Sequence, residues 1–469
     1  MDNKKMNIIF ILIDDMGYKD LSCYGSSFYE TPNLDKLAKN GMMFTDAYAA
    51  CPVCSPTRAS ILSGKYPARV GVTDWIGAHT RGRLIDAPYI RELPLSEKSL
   101  ATALKDGGYK TWHIGKWHLG NSDFYPEKHG FDINIGGCHW GHPHNGYFSP
   151  YKIETMSDGP DGEYLTDRLT DEAIKLIKNN DGSPFFMNFW HYAVHEPIQA
   201  PQRLIEKYEK KAAEMGIDKT DPFEKGDFFP CEHMKHLRIR RRTIQSDPVY
   251  AAMIENLDAN IGRLLDALDE YGISDNTAIF FTSDNGGLAT AGSSPTSNAP
   301  LSEGKGWMYE GGVREPLIVK WHGVTAPGSV CEIPVTSTDF FPTILEMAGL
   351  PLMPEQHIDG VSIINLLKGR SSINREAIYW HYPHYGNQGG TPGSSMRMGD
   401  YKLIEFFEDS RLELYDLKND LEEEHNIAGQ NKELTDKMHG MLKNWQAEVQ
   451  AKFPAANHEY KPESHHDIE

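Results

Sequence analysis

MNIIFILIDD, residues 6–15, is an unbroken apolar run that stops at once in two aspartates. Alternating polarity would mark a strand with one wet face. A short continuous run instead suits a strand covered on both faces, as in a parallel sheet between helix layers. The same texture returns outward from it, in YKTWHIGKW from Tyr109, PFFMNFW (184–190), TAIFF (277–281) and PLIVKW (316–321). Between these runs lie helical stretches: PNLDKLAKNG from Pro32 to Gly41, PTRASILSG from Pro56, Ser99–Lys105, Thr166–Lys178, Pro248–Tyr271 and DFFPTILEMAG. In the longest, Ile254, Leu257, Ile261, Leu264 and Leu268 recur at spacings of three and four, the stripe of a core-facing helix. The polar stretch Glu206–Asp247 reads as a helical insertion. This alternation predicts an α/β fold over residues 1–370, a large, mostly parallel mixed sheet flanked by helices. After KGRSSINRE the texture changes. MRMGDYKLIEF and RLELYDLKNDLEEEHNIA predict short antiparallel strands, followed by a helix over Asn431–Val449. Residues 371–469 are therefore expected to form a smaller α+β subdomain that contributes to the substrate pocket.

Lys and Arg total 47 against 66 Asp and Glu, a net charge of −19. That excess excludes nucleic acid as a natural partner, because a phosphate backbone calls for a basic face. An anionic ligand would need a locally positive pocket. The six cysteines are sparse and irregularly spaced, unlike a disulfide framework. No apolar run reaches membrane-spanning length, so no membrane partner is expected. The opening MDNKK carries no signal-peptide pattern; as the sequence stands the expectation is cytoplasmic, or periplasmic or secreted if a leader was removed.

Two predicted strands end in oxygen donors, Asp14-Asp15 and Asp284-Asn285. In open α/β sheets, sites form at the carboxyl ends of strands, so both pairs could meet in one crevice. Three carboxylates and an amide oxygen form a hard donor set suited to Ca²⁺ or Mg²⁺. The competing reading makes DD a cap and DNGG a turn. Cys54, in CPVCSPTR (51–58), precedes Pro56 at an expected helix start, where unpaired N–H groups favour an anion, and Arg58 adds a guanidinium. A CxxC reading of Cys51 and Cys54 competes with that of a nucleophile. Redox CxxC pairs sit in much smaller folds, however, and no second CxxC supplies zinc ligands. GKWHLG sets Lys116 and His118 two apart, on one side of an extended strand end. His195 follows another strand, and Lys305 lies in the glycine-rich EGKGWMYEGG.

Taken in order, IDD (13–15), CSPTRASILSG (54–64), GKWHLG (115–120), His195 before Pro197, SDNGG (283–287), Lys305 and YEGGVREPLIVKW (309–321) resemble the formylglycine-dependent sulfatase family of the alkaline phosphatase superfamily. CSPTR fits that family's C-x-P-x-R modification signature. GDYKLI…LYDLKNDLEEEHNIA resembles its small C-terminal subdomain, so the likeness spans almost the whole chain. The resemblance implies a sulfuric ester hydrolase in which a maturation enzyme oxidises Cys54 to formylglycine, an aldehyde held as its hydrate. It implies that Asp14, Asp15, Asp284, Asn285 and the modified Cys54 bind one divalent cation, usually Ca²⁺, with Mg²⁺ the alternative. It implies that Arg58 orients the hydrate, Lys116 and Lys305 bind sulfate oxygens, and His118 and His195 assist proton transfer. The chemistry agrees: a sulfate monoester needs a clamp for three oxygens, an activated nucleophile and an acid for the departing alkoxide. The sequence order does not say which histidine is that acid; His195 is our expectation.

Two stretches outside these motifs concentrate side chains suited to sugars. HWGHPHNGYFSPY (139–151) holds His139, Trp140, His142 and His144, and YWHYPHYGNQGG (379–390) holds His381 and His384. Stacking and hydrogen bonding to hydroxyls would make them a sugar-binding wall; two loops packed on each other is the competing reading. YFSPY with DGPDGEYLTDRLTDEA resembles bacterial carbohydrate sulfatases, which points to exo-acting removal of sulfate from galactose or N-acetylgalactosamine. The rivals are a phosphodiesterase or phosphonate monoester hydrolase on the same scaffold, and a non-catalytic binder of sulfated glycans with unmodified Cys54.

Overall fold

Asn7–Ile13 (β1) is buried at every residue in the computed structural model, which describes residues 5–78 and 82–461. The lysine-bearing opening inspected for a leader lies, up to Lys4, outside the described residues. β1 is the middle of a nine-stranded sheet. The others are Met42–Tyr48 (β2), Lys110–Gly115 (β3), Ile133–Ile135 (β4), Phe185–Trp190 (β5), Thr277–Ser283 (β6), Arg314–Lys320 (β7), Ser329–Cys331 (β8) and Val335–Thr336 (β9). Their order is β8-β2-β7-β6-β1-β5-β3-β4, with β9 beside β2. β1 runs parallel to both β5 and β6, so three carboxyl ends open at one edge. β7 is antiparallel to β2 and β6, which makes the sheet mixed, as expected.

Burial on both faces of β1 requires helices on both sides, and two groups provide them. Pro32–Asn40 (α1), Leu165–Lys178 (α4), Gln202–Met215 (α5) and Pro248–Glu270 (α6) pack around α6. Cys54–Ser63 (α2), Leu100–Asp106 (α3) and Phe340–Met347 (α7) form the second group. Phe340 of α7 meets Phe10 of β1 edge-on, with ring centroids 5.0 Å apart. Ile378–Tyr382, Gly393–Met398, Tyr401–Phe406 and Leu412–Asp416 (β10–β13) form a separate four-stranded antiparallel sheet, and Lys432–Glu448 (α8) packs on β11 and β12.

Three local expectations are corrected. α2 starts at Cys54 and not at Pro56: Val53 is its extended N-cap, and the proline sits within the first turn, where its missing N–H costs no helix bond. Helix in the polar stretch ends at Met215; a hairpin of Phe223–Phe228 and Arg238–Arg242 follows, held by burial of Ile239 between exposed arginines. His381 is not on a loop. It lies in β10, opposite Ser394.

Candidate active site

The carboxyl ends of β1 and β6 bring Asp14, Asp15, Asp284 and Asn285 together, all almost fully buried. The Asp15 N–H donates to Asp284 Oδ1 at 3.2 Å, and the Asn285 amide donates to Asp15 Oδ1 at 2.8 Å. Asp15 holds a left-handed φ of 60°, uncommon outside glycine and typical of sites where surrounding packing over-determines the backbone.

Three cations meet these carboxylates. Arg58, one turn along α2 from Cys54, donates from Nε to Asp284 Oδ2 at 2.9 Å and from Nη1 to the Lys116 carbonyl at 3.0 Å. Its guanidinium also lies over the Trp190 ring at 5.3 Å. Lys116 Nζ donates to Asp14 Oδ2 and Lys305 Nζ to Asp15 Oδ2, each at 2.7 Å. With all three carboxylates ionised around a bound divalent ion, they balance the three cations and the ion leaves the pocket net positive, as an anionic substrate requires.

β3 ends at Gly115, so Lys116 and His118 do not share an extended strand as the spacing suggested. The chain leaves the sheet through a turn in which His118 has φ 57° and its N–H donates to the Cys138 carbonyl at 3.1 Å. His118 still lines the cleft, while the fully buried Lys116 reaches Asp14 instead. His118 Nε2 donates to the Ile76 carbonyl at 3.0 Å, which leaves Nδ1 as an acceptor 3.3 Å from Cys54 Sγ. His195 Nδ1 donates to the Glu196 carbonyl at 2.8 Å, so its Nε2 accepts from Lys305 Nζ at 3.0 Å. Cys54, His118, His195 and Lys305 form the floor of a cleft of about 400 Å³. A larger cavity of about 560 Å³, between the 223–242 hairpin and the C-terminal sheet, contains none of them.

A family model described as Sulfatase matches residues 6–350, and one described as N-sulphoglucosamine sulphohydrolase, C-terminal, matches residues 303–448. The chain belongs to the sulfatase family. It is a sulfuric ester hydrolase. This sulfatase is 32% identical to a sulfatase of Formosa agariphila over 94% of its own length and 89% of that protein. It is 33% identical to the N-acetylgalactosamine-6-sulfatase of Homo sapiens, over 80% of its length and 68% of that protein. Among solved structures, Ps i-CgsB in complex with k-i-k-neocarrahexaose superposes with a TM-score of 0.76 at 28% identity, covering 98% of this chain and 95% of that one.

Two buried oxygens of this sulfatase, Asp14 Oδ1 and Asn285 Oδ1, accept no hydrogen bond from any described residue. Orphaned oxygens beside Asp15 and Asp284 are what a hard cation would satisfy, so the residues fit a divalent metal. One ligand atom each from Asp14, Asp15 and His195 already lie within 4.8 Å of one another. Electrostatics follow from the same crowding. Burial, with Asp284 and Asp15 close by, pushes Asp14 up to about 8 despite Lys116. Burial would also raise Asp15, yet the Lys305 ammonium bonded to it outweighs that and holds the carboxyl below its usual range. Burial raises the Cys54 thiol and keeps His118 and His195 neutral.

His139, Trp140, His142 and His144 all line the cleft, and the Trp140 and His144 rings stack at 4.4 Å. His381 and His384 do not, which corrects their reading as substrate ligands. His381 is buried between Ser394 Oγ and the Lys452 carbonyl, and His384 is buried against Thr73 Oγ1 at 2.9 Å. The same segment reaches the cleft through Asn387 and Gln388 instead. Trp75, Ile76, Glu196 and Leu288 also line it and were missed. Adjacency to His195 was the available signal for Glu196; the other three carried none. Cys51 is a buried free thiol packed with Val53, Met308 and Tyr382, and no described cysteine is paired in a disulfide.

Proposed function

We propose that this sulfatase removes a sulfate ester from the end of a carbohydrate, with galactose or N-acetylgalactosamine sulfate as the preferred substrate. The observation that carries the reading is the cleft itself. Its floor gathers residue 54, two histidines and a lysine, and its walls offer Trp75, Trp140, His142, His144 and the amides of Asn387 and Gln388. Aromatic faces and neutral amides suit a sugar ring and its hydroxyls, and about 400 Å³ suits a short saccharide end better than a chain lying across the site. The Homo sapiens relative bears an N-acetylgalactosamine-6-sulfatase name, and the Ps i-CgsB structure contains a bound neocarrahexaose. Residues 371–469 are read as a subdomain that contributes Asn387 and Gln388 to this wall.

Asp14, Asp15, Asp284 and Asn285, with residue 54, would hold the ion, calcium in our reading and magnesium as the alternative. When bound, the ion supplies electrostatic stabilisation of negative charge at the cleft floor. Formylglycine made from Cys54 by a maturation enzyme supplies a hydroxyl nucleophile. The chain's own groups do the rest. In this reading Lys305, which lines the cleft, and Lys116, paired with Asp14, bind the sulfate oxygens. Arg58, bound to Asp284 and to the Lys116 carbonyl, holds the carboxylate and the lysine loop in register. His118 Nδ1 faces position 54 and takes a proton there. His195 donates a proton to the departing sugar oxygen; its Nε2, an acceptor in the resting site, takes that proton from the Lys305 Nζ hydrogen-bonded to it.

Mass analysis of the peptide holding Cys54, from protein matured in its native host, tests the chemistry: an aldehyde supports it, and a thiol overturns it in favour of a non-catalytic glycan binder. Turnover of an aryl sulfate well above that of an aryl phosphodiester is expected. The reverse order would make the protein a phosphodiesterase on this scaffold. A panel of monosulfated galactose and N-acetylgalactosamine isomers then tests the sugar.

A further inference from the structure

Where the loop that walls the cleft begins, Cys138, His139 and Glu154 each offer one ligand atom, and the three atoms lie within 4.8 Å of one another. His139 Nδ1 and Glu154 Oε1 are 3.3 Å apart, and the Tyr125 hydroxyl bridges them, 3.0 Å from Nδ1 and bonded to Oε1. Cys138 is fully buried, whereas the His139 and Glu154 side chains are 53% and 52% exposed. The cluster is therefore open to solvent on one side and closed by a thiol on the other. We propose that Cys138, His139 and Glu154 form a second metal site, for a borderline-soft divalent ion of the zinc class.

Ligand chemistry separates this site from the cleft floor. The floor is built from carboxylate and amide oxygens, a hard set that suits calcium or magnesium. Thiolate, imidazole and one carboxylate suit zinc, and the fourth position is open to water or the Tyr125 oxygen. With zinc bonds of about 2.3 Å to sulfur and about 2.0–2.1 Å to nitrogen or oxygen, tetrahedral ligand atoms sit roughly 3.3–3.7 Å apart. His139 Nδ1 and Glu154 Oε1 already meet that spacing, and Cys138 Sγ, within 4.8 Å of both, closes on them by side-chain rotation. The site is coupled to the active site by covalent continuity. The Cys138 carbonyl receives the His118 N–H, and His139 begins the His139–His144 wall. An ion there ties the base and the substrate wall to one point.

The test uses full-length Cys54→Ala protein, so that no thiol remains at the cleft floor, saturated with calcium and titrated with Co²⁺. A near-ultraviolet thiolate-to-cobalt charge-transfer band is expected, saturating at one ion per chain and displaced by zinc. Cys138→Ser should abolish the band. Glu154→Gln, at a half-exposed position that the fold does not depend on, should keep the band but weaken cobalt binding by about tenfold or more. Absence of the band, or its survival in Cys138→Ser, overturns the site. If Cys138→Ser does not fold, unchanged cobalt affinity in both Glu154→Gln and His139→Ala overturns it instead.

Discussion

His118 and His195 stand on the same cleft floor, yet their second ring nitrogens differ in partner, and in our proposal that difference gives them different tasks. His118 gives its Nε2 proton to the Ile76 carbonyl and turns an acceptor nitrogen to residue 54. His195 gives its Nδ1 proton to the Glu196 carbonyl and presents Nε2 beside Lys305. Removing a general acid costs most when the leaving group is a poor one. His195→Ala should therefore slow a sugar sulfate by about 10²–10⁴-fold and an activated aryl sulfate far less, whereas His118→Ala should slow both alike. Steady-state kinetics over a leaving-group series checks this. Equal losses in His195→Ala, with His118→Ala sparing the good leaving group, would exchange the two roles. A second residue-scale prediction concerns His191. It is fully buried, neither ring nitrogen bonds a described group, and burial lowers it from 6.5 to about 3. The unfolded chain takes up a proton at this histidine below pH 6.5 and the folded chain does not, so stability is lost as pH falls from about 6.5 towards 3. The slope is about 1.4 kcal/mol per pH unit for this one group. Denaturant unfolding of His191→Leu across that window should show a slope shallower by that amount; parallel curves would refute it.

At the scale of an element, the turn that ends β3 fixes where Lys116 and His118 go. Gly115 has φ 101°, and a Cβ there would come within 1.9 Å of the Trp190 carbonyl oxygen. That same oxygen accepts the Lys116 N–H at 2.7 Å. Gly115→Ala meets both left-handed strain and a backbone clash, so a loss of about 2–4 kcal/mol is expected. Activity should fall further than stability alone accounts for, because Lys116 would move off Asp14. Chemical denaturation with kinetics at a temperature where the variant is folded checks this; a stable variant with normal kcat would show that the turn is not what aims the lysine. The elements carrying the site were legible because the apolar runs and their polar ends are contiguous in sequence. β1 and β6 announce both their burial and their terminal donors. The 223–242 hairpin was not legible, since its polar, charged sequence has neither apolar periodicity and only the partner strand makes RIRRR extended. The start of α2 was displaced by two residues because a proline is accepted anywhere in a first turn.

Across the whole molecule, three buried carboxylates and three buried cations from five places in the chain pair with one another without a metal, so the fold is expected to stand without it and to gain from it. An ion that binds only the folded state stabilises by RT ln(1 + [L]/Kd), about 2.7 kcal/mol at a hundredfold excess over Kd. Calcium should raise the thermal midpoint of chelator-treated protein, and Asn285→Ala should lose most of that rise; an equal rise in the variant would place the ion elsewhere. Sequence by itself determined the α/β class, the oxygen donors at two strand ends, Cys54 in its signature and the cations and histidines that follow. These are short-range properties: apolar periodicity, a residue type and its neighbours state the local chemistry before any folding. Only the tertiary structure decided which side chains share the cleft. HWGHPHN and YWHYPHY read alike, but the first supplies four wall residues, while His381 and His384 turn inward and Asn387 and Gln388 take the cleft instead. The physical reason is register and long-range packing. β10 pairs His381 with Ser394 on the next strand, and one residue's shift along a strand reverses which face a side chain occupies.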